Sequence, residues 1–220
     1  METKPKRVVI CGAGVMGSSI AYQLSLRRSE IPNWEITVIE RNEVAGAASG
    51  KAGGFLALNW CDRNAVGGLA RKSFAMFPVI AENLPGIDYR RVDTLSIEAS
   101  TRTKKSKRKI SIESPEWLDG SAINTMSVMG DTKTTAQASI LSYKFYLFSH
   151  YFKVHPAKYT KAMMAAAQTK GVQVRIGCVQ GIQVSDNNVS GVIVDGETLP
   201  VDIVIISMVR FTLKIVCNIN

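Results

Sequence analysis

Apolar positions fall in short unbroken runs near both ends of this chain. Val8-Val9-Ile10-Cys11 is one such run and ends in glycine, while Trp34-Glu35-Ile36-Thr37-Val38-Ile39-Glu40, with polar residues interspersed, reads as a second strand that ends on an acid. Runs of this kind mark strands buried on both faces of a parallel sheet. Between them, residues 18–28 carry Ile20, Ala21, Leu24 and Leu26 toward one side and Arg27-Arg28 at the end, a pattern that predicts a helix. The order is strand, helix, strand. Further on, residues 64–84 predict a helix with Leu69, Phe74, Phe77 and Ile80 apolar, and residues 89–99 a strand region. Residues 114–120 read as a turn or short helix. Pro156 opens a further helix over 156–170, with Ala162, Met163, Ala166 and Ala167 for packing and Gly171 ending it. Residues 172–176 and 181–184 are expected strands, and 189–194 should pair across Asp186-Asn187-Asn188 as a hairpin. Residues 201–207 form a last buried strand.

The link between the first strand and helix is Gly12-Ala13-Gly14-Val15-Met16-Gly17, which fits G-x-G-x-x-G. Alone the pattern is weak, but here a buried strand precedes it, a helix follows, and Glu40 closes the next strand. Gly12 permits the tight turn, Gly14 lets backbone approach a pyrophosphate, and Gly17 allows close helix–strand packing. The helix N-terminus presents free N–H groups to phosphates. Glu40 accepts hydrogen bonds from ribose hydroxyls, which disfavours a 2′-phosphate and hence NADP. These residues read as a Rossmann-type unit for the ADP half of a dinucleotide. The alternative is a glycine turn with no ligand.

Composition narrows the partners. The 220 residues are 46% hydrophobic and 20% charged, ordinary for a globular protein with a sizeable core. The formal net charge of +9 raises nucleic acid or anionic lipid as partners. Six of the cations lie together in Arg102-Thr103-Lys104-Lys105-Ser106-Lys107-Arg108-Lys109, without an interleaved aromatic, so a solvated loop is expected and nucleic acid is not. Cys11, Cys61, Cys178 and Cys217 are scattered, with only His150 and His155 to join them, so no metal site is expected. Cys11 and Cys178 read as small buried hydrophobes. The N-terminus lacks the apolar core of a signal peptide and the character of a transit peptide. Arg210 and Lys214 break the last candidate membrane span, so a cytoplasmic location is expected.

Gly46-Ala47-Ala48-Ser49-Gly50-Lys51-Ala52-Gly53-Gly54 follows the acidic strand. It resembles the second flavin-contacting motif of the D-amino-acid-oxidase-like family of FAD-dependent oxidoreductases, which includes glycine and sarcosine oxidases. Val154-His155-Pro156 before a helix, and the hairpin followed by the strand that contains Asp202, are similar to that family's return to its FAD domain. The resemblance implies an α/β fold: a Rossmann-type FAD-binding domain with a parallel central sheet, plus a partial, mostly β substrate domain inserted in it. The expected division is 1–58 and 154–208 for FAD and 59–137 for the partial substrate domain.

The resemblance also implies roles. Gly12, Ala13, Gly14, Val15, Met16 and Gly17 would meet the pyrophosphate, and Glu40 and Arg41 the adenosine end. Ser49, Gly50, Lys51, Ala52 and Gly53 would run beside the pyrophosphate and isoalloxazine, and Val179 would offer backbone groups to the adenine. Lys51 either balances negative charge there or is an exposed lysine. The implied cofactor is FAD and the implied substrate a small amino acid or amine, whose C–N bond is oxidised by hydride transfer to flavin. The alternatives are an inactive fragment or interaction isoform that at most binds a dinucleotide, and an NAD-dependent dehydrogenase, for which the 49–54 loop has no obvious use. No catalytic acid or base stands out: His155 before Pro156 reads as a loop or cap residue, and Asp202 as the start of a strand or the close of a turn.

Two segments depart from the family pattern. Residues 138–153 hold Tyr143, Phe145, Tyr146, Phe148, Tyr151 and Phe152, three of six tyrosines and three of seven phenylalanines. Residues 209–220 replace a glycine-containing turn. Both read as translation past splice boundaries, giving a truncated form, and both are expected to be poorly packed or incompatible with a sheet.

Overall fold

The computed structural model describes residues 4–58, 60–99 and 143–208, with backbone alone over 91–99 and 143–151. The described residues divide into two compact units, 4–54 with 79–88 and 154–208, and 55–58 with 60–78, 89–99 and 143–153.

The first unit is built on a four-stranded parallel sheet. Its strands are β1 (Lys6–Cys11), β2 (Trp34–Glu40), β6 (Gln173–Ile176) and β10 (Ile203–Ile206), in the order β10-β1-β2-β6. Alternation along β1 decides the layering. Val9 and Cys11 face a cluster with Ile39, Val192, Val194 and Val201, while Val8 and Ile10 are buried on the opposite side. Each such aliphatic side chain contributes about 1.5–3 kcal/mol by its burial.

The first face is covered by an antiparallel meander, β7 (Val179–Ser185), β8 (Asn188–Val194) and β9 (Glu197–Pro200). Both of its turns have two central residues. Asp186 and Asn187 have φ of 50° and 61°, and Asp195 and Gly196 have 50° and 86°. Positive φ at both central positions matches the right-handed twist of the flanking strands. The first turn is one residue tighter than expected, since Asn188 pairs with Ser185. The third strand was not anticipated, although Asp195-Gly196 between two runs is a strong hairpin signal.

Helices α1 (Val15–Leu26) and α3 (Pro156–Gln168) pack against each other in the same unit. The inner face of α1 differs from expectation. Its buried residues are Gly17, Ser18, Ala21, Tyr22 and Ser25, and Leu26 is exposed. Small residues face inward because the helix runs close to its neighbours, so the larger aliphatics sit at the margins. In α3 the buried residues are Tyr159, Thr160, Met163, Met164 and Ala167. Arg28 ties the far end of the unit by donating to the carbonyls of Trp34, Lys170 and Gly171. Cys178, expected in the core, is only half-buried, because it lies in the link between β6 and β7 rather than in a strand.

The second unit contains β3 (Phe55–Ala57), β4 (Arg90–Ala99) and β5 (Tyr143–Lys153), an antiparallel sheet ordered β3-β5-β4. The expectation that residues 138–153 resist sheet formation is overturned for 143–153, which form the central strand. Their β-branched-poor but aromatic-rich composition suits a pleated surface. Phe152 stacks on Tyr89 at 4.9 Å and meets Phe74 at 5.4 Å. Phe74 lies on α2 (Gly67–Asn83), which starts three residues later than the apolar pattern indicated and contains Pro78. Leu69, expected to pack, is 68% exposed. The basic run, residues 114–120 and 138–142, and the tail 209–220 lie outside the described residues. Among the described residues no helix is long and apolar enough to cross a membrane.

Burial pushes the Cys11 thiol up to about 12 from an ordinary 9.0. A raised folded-state value means that its contribution to stability is complete below pH 9.0 and is lost as pH rises toward about 12. A Cys11→Ala variant is therefore expected to show a shallower alkaline loss of urea midpoint over that window than the parent. Equal slopes would contradict it.

Candidate functional site

The end of β1 turns sharply at Gly12, whose φ of +103° lies in a region costly for any side chain. The Gly12 N–H donates to the Ile39 carbonyl at 2.7 Å, which keeps the turn on the ends of the two central strands. A Cβ on Gly17 would lie 1.9 Å from the Gly12 carbonyl oxygen. Only glycine lets α1 approach the turn this closely. The helix also begins earlier than its apolar pattern implied, so Val15, Met16 and Gly17 form its first turn.

Gly14 is the N-cap, in extended conformation and with no side chain to cap the helix. Ser18 N–H makes the first intrahelical bond, to the Gly14 carbonyl at 2.9 Å. The N–H groups of Val15, Met16 and Gly17 precede it and have no acceptor inside the helix. Val15 N–H is met from outside by the Ser49 hydroxyl at 2.9 Å. The first turn carries no acidic residue, and Met16 is 63% exposed. This end of the helix is suited to an anion.

Ser49 belongs to a tight loop that passes over the glycine turn. The Ala45 N–H donates to the Ala13 carbonyl at 3.1 Å, and residues Ala48–Gly50 form one 3-10 turn. A Cβ on Gly50 would lie 2.1 Å from the Ala45 carbonyl oxygen, and one on Gly14 would lie 2.9 Å from Ser49 Oγ. Gly14 and Gly50 are thus required by contacts within the protein. Lys51, Ala52 and Gly53 continue outward as exposed loop.

At the other side of the turn, the Glu40 carboxylate is held by two backbone donors. Ala13 N–H donates to Oε2 at 2.8 Å and Asn42 N–H to Oε1 at 3.2 Å. The Glu40 carbonyl accepts from Gly177 N–H at 2.9 Å, which brings the β6–β7 link beside it. Val179, two residues on, is half-buried at the start of β7 and pairs with Val194. Arg41 is exposed next to Glu40. Gly12 to Gly17, Glu40, Ser49 and Gly50 are therefore brought together by direct contacts, with Val179 nearby along the link.

Other candidates fall elsewhere. His155 caps α3, accepting at Nδ1 from Lys158 N–H at 3.4 Å. Asp202 lies at the opposite end of the sheet, accepting from Arg7 N–H at 2.7 Å, and that bond together with the Arg7 side chain holds its carboxyl below the usual range. Among the described residues no group of three or more His, Cys, Asp or Glu is placed to hold a metal ion. One residue of the glycine turn's surroundings was not anticipated: Ser207, whose single hydroxyl proton is shared between the carbonyls of Cys11 and Gly12, 2.8 and 2.9 Å from Oγ. A hydroxyl ending an apolar run was its only signal.

The family model described as FAD dependent oxidoreductase matches residues 7–208. A Saccharomyces cerevisiae protein described as an oxidoreductase, TDA3, is 32% identical over 152 residues, covering 63% of this chain and 28% of that protein. A Schizosaccharomyces pombe protein, also described as an oxidoreductase, is 27% identical over 175 residues, covering 78% of this chain and 45% of that protein. The chain thus spans less than half the length of either relative. Among solved structures, glycine oxidase from Geobacillus kaustophilus is similar with a TM-score of 0.71 at 19% identity, over 97% of this chain and 58% of that one. Glycine oxidase from Bacillus cereus gives 0.68 at 20% identity, over 96% and 57%. At these identities the likeness shows the fold.

The contact at Gly17 has a direct test. Gly17→Ala puts a methyl group into the Gly12 carbonyl and is expected to cost about 1–3 kcal/mol of stability in urea unfolding. Gly68→Ala is the control: it lies within α2, a Cβ there meets nothing within 4 Å, and no loss is expected. Equal tolerance at both positions would contradict the packing described.

Proposed function

Since the chain belongs to the FAD dependent oxidoreductase family, we propose that its first unit holds the ADP half of FAD through the glycine turn. The observation that carries this is the cross-bonding of three segments: Val15 N–H to Ser49 Oγ, Ala13 N–H to Glu40 Oε2, and Ala45 N–H to the Ala13 carbonyl. These bonds shape a phosphate end and a ribose end on one short piece of backbone. The donor set fits the group. Met16 and Gly17 present N–H groups to phosphate oxygens, aided by the helix dipole. The Ser49 hydroxyl, its oxygen accepting from Val15, retains a proton to donate. Glu40 has lone pairs left for the ribose hydroxyls, with Arg41 beside it. Backbone at Val179 would receive the adenine. Gly50, Lys51, Ala52 and Gly53 would run beside the pyrophosphate and ring, where Lys51 offsets negative charge.

When bound, flavin supplies a two-electron acceptor for hydride from carbon. We infer that the whole protein oxidises a C–N bond of an amino acid or related amine. Support comes from the structural neighbours, named as glycine oxidase, L-proline dehydrogenase and iminodiacetate oxidase, all acting on amino acids or amines. A second reading, that this chain alone binds the dinucleotide without turnover, is favoured by its spanning 28% and 45% of its relatives.

Purified protein incubated with FAD and desalted is expected to retain a flavin absorption spectrum, and Glu40→Ala to weaken retention about tenfold. Oxygen uptake with amino acids and N-methyl amines then separates the two readings. A colourless, folded protein would overturn both.

A further inference from the structure

One peptide group at the start of the glycine turn is gripped from both sides. The Gly12 carbonyl accepts from Ser207 Oγ at 2.9 Å, and the N–H of the same peptide, on Ala13, donates to Glu40 Oε2 at 2.8 Å. In a trans peptide these two groups point in opposite directions. Ser207 therefore holds the turn from the β10 side while Glu40 holds it from the β2 side. The grip is close. Ser207 N–H donates to the Cys11 carbonyl at 3.0 Å, and its single hydroxyl proton is shared between that carbonyl, at 2.8 Å, and the Gly12 carbonyl, so the residue is fixed against β1. Its hydroxyl also lies where a side chain on residue 17 would go, 2.7 Å from a Cβ built on Gly17. The missing Gly17 side chain thus makes room for both the Gly12 carbonyl and the Ser207 hydroxyl.

We propose that Ser207 is a positioning residue for the dinucleotide, acting through the Gly12–Ala13 peptide to hold the Glu40 carboxylate where it meets the ribose. This rests on the dinucleotide reading of the site. A hydrogen bond to a peptide carbonyl polarises the N–H of the same group and strengthens the bond it donates. Loss of the Ser207 hydroxyl frees the Gly12 carbonyl to turn, and with it the Ala13 N–H, the shorter of the two backbone bonds that hold Glu40. A merely structural serine would act independently of Glu40.

The test is FAD affinity, read by quenching of flavin fluorescence, for the parent, Ser207→Ala, Ser207→Thr, Glu40→Gln and the Ser207→Ala/Glu40→Gln double variant. The expected result is about a tenfold weakening for Ser207→Ala, recovery in Ser207→Thr, and a double-variant loss smaller than the product of the single losses. Ser207→Cys, of similar volume but a weak donor, replaces the alanine variant if that one does not fold. Unchanged affinity in Ser207→Ala, or losses that multiply, would overturn the proposal. A parent that binds neither FAD nor ADP would instead overturn the reading beneath it.

Discussion

The approach of α1 to the end of β1 sets the rest of the first unit. With a Cβ at residue 17 excluded by the Gly12 carbonyl, the helix starts hard against the strand, and its first N–H groups open just beyond the sheet. That position follows from backbone contact, not from side-chain preference. The low apolar contrast of α1 is a consequence: a helix this close to its neighbours buries Gly17, Ser18, Ala21 and Ser25, whose small volumes let backbones meet. The same constraint recurs at Gly50 and Gly54, each with a carbonyl 2.1 Å from where a Cβ would be.

What was legible in the sequence is what short-range chemistry determines. β2 runs over Trp34–Glu40, the bounds read from the sequence, because its β-branched residues Ile36, Val38 and Ile39 suit a buried strand. The glycine spacing and Glu40 placed the turn and its carboxylate partner, since backbone geometry at Gly12 and Gly17 admits little else. From its place before Pro156, His155 was readable as a loop or cap residue, and it is the cap of α3. The inner face of α1 was not, because inward small residues look like outward ones in a hydropathy pattern. Ser207 was beyond reach for a different reason: it meets Gly12 only through the parallel pairing of β10 with β1, residues 195 apart in sequence.

The aromatic stretch 143–153 is the clearest correction. Its composition contrasts with the chain around it, which read as foreign to the fold. Yet aromatic residues suit a pleated strand, and the 11-residue β5 pairs with β4 along its length and with β3 over Tyr151–Lys153. A compositional break does not by itself signal a structural one.

Amide chemical-shift mapping on ADP addition is the decisive measurement of dinucleotide binding at the glycine turn, because it reads the turn without requiring flavin, substrate or turnover. Saturable shifts are expected at Gly12 to Gly17, Glu40, Arg41, Ser49 to Gly53 and Val179, with little change in α2. Shifts spread elsewhere, or none at all from a folded protein, would contradict it.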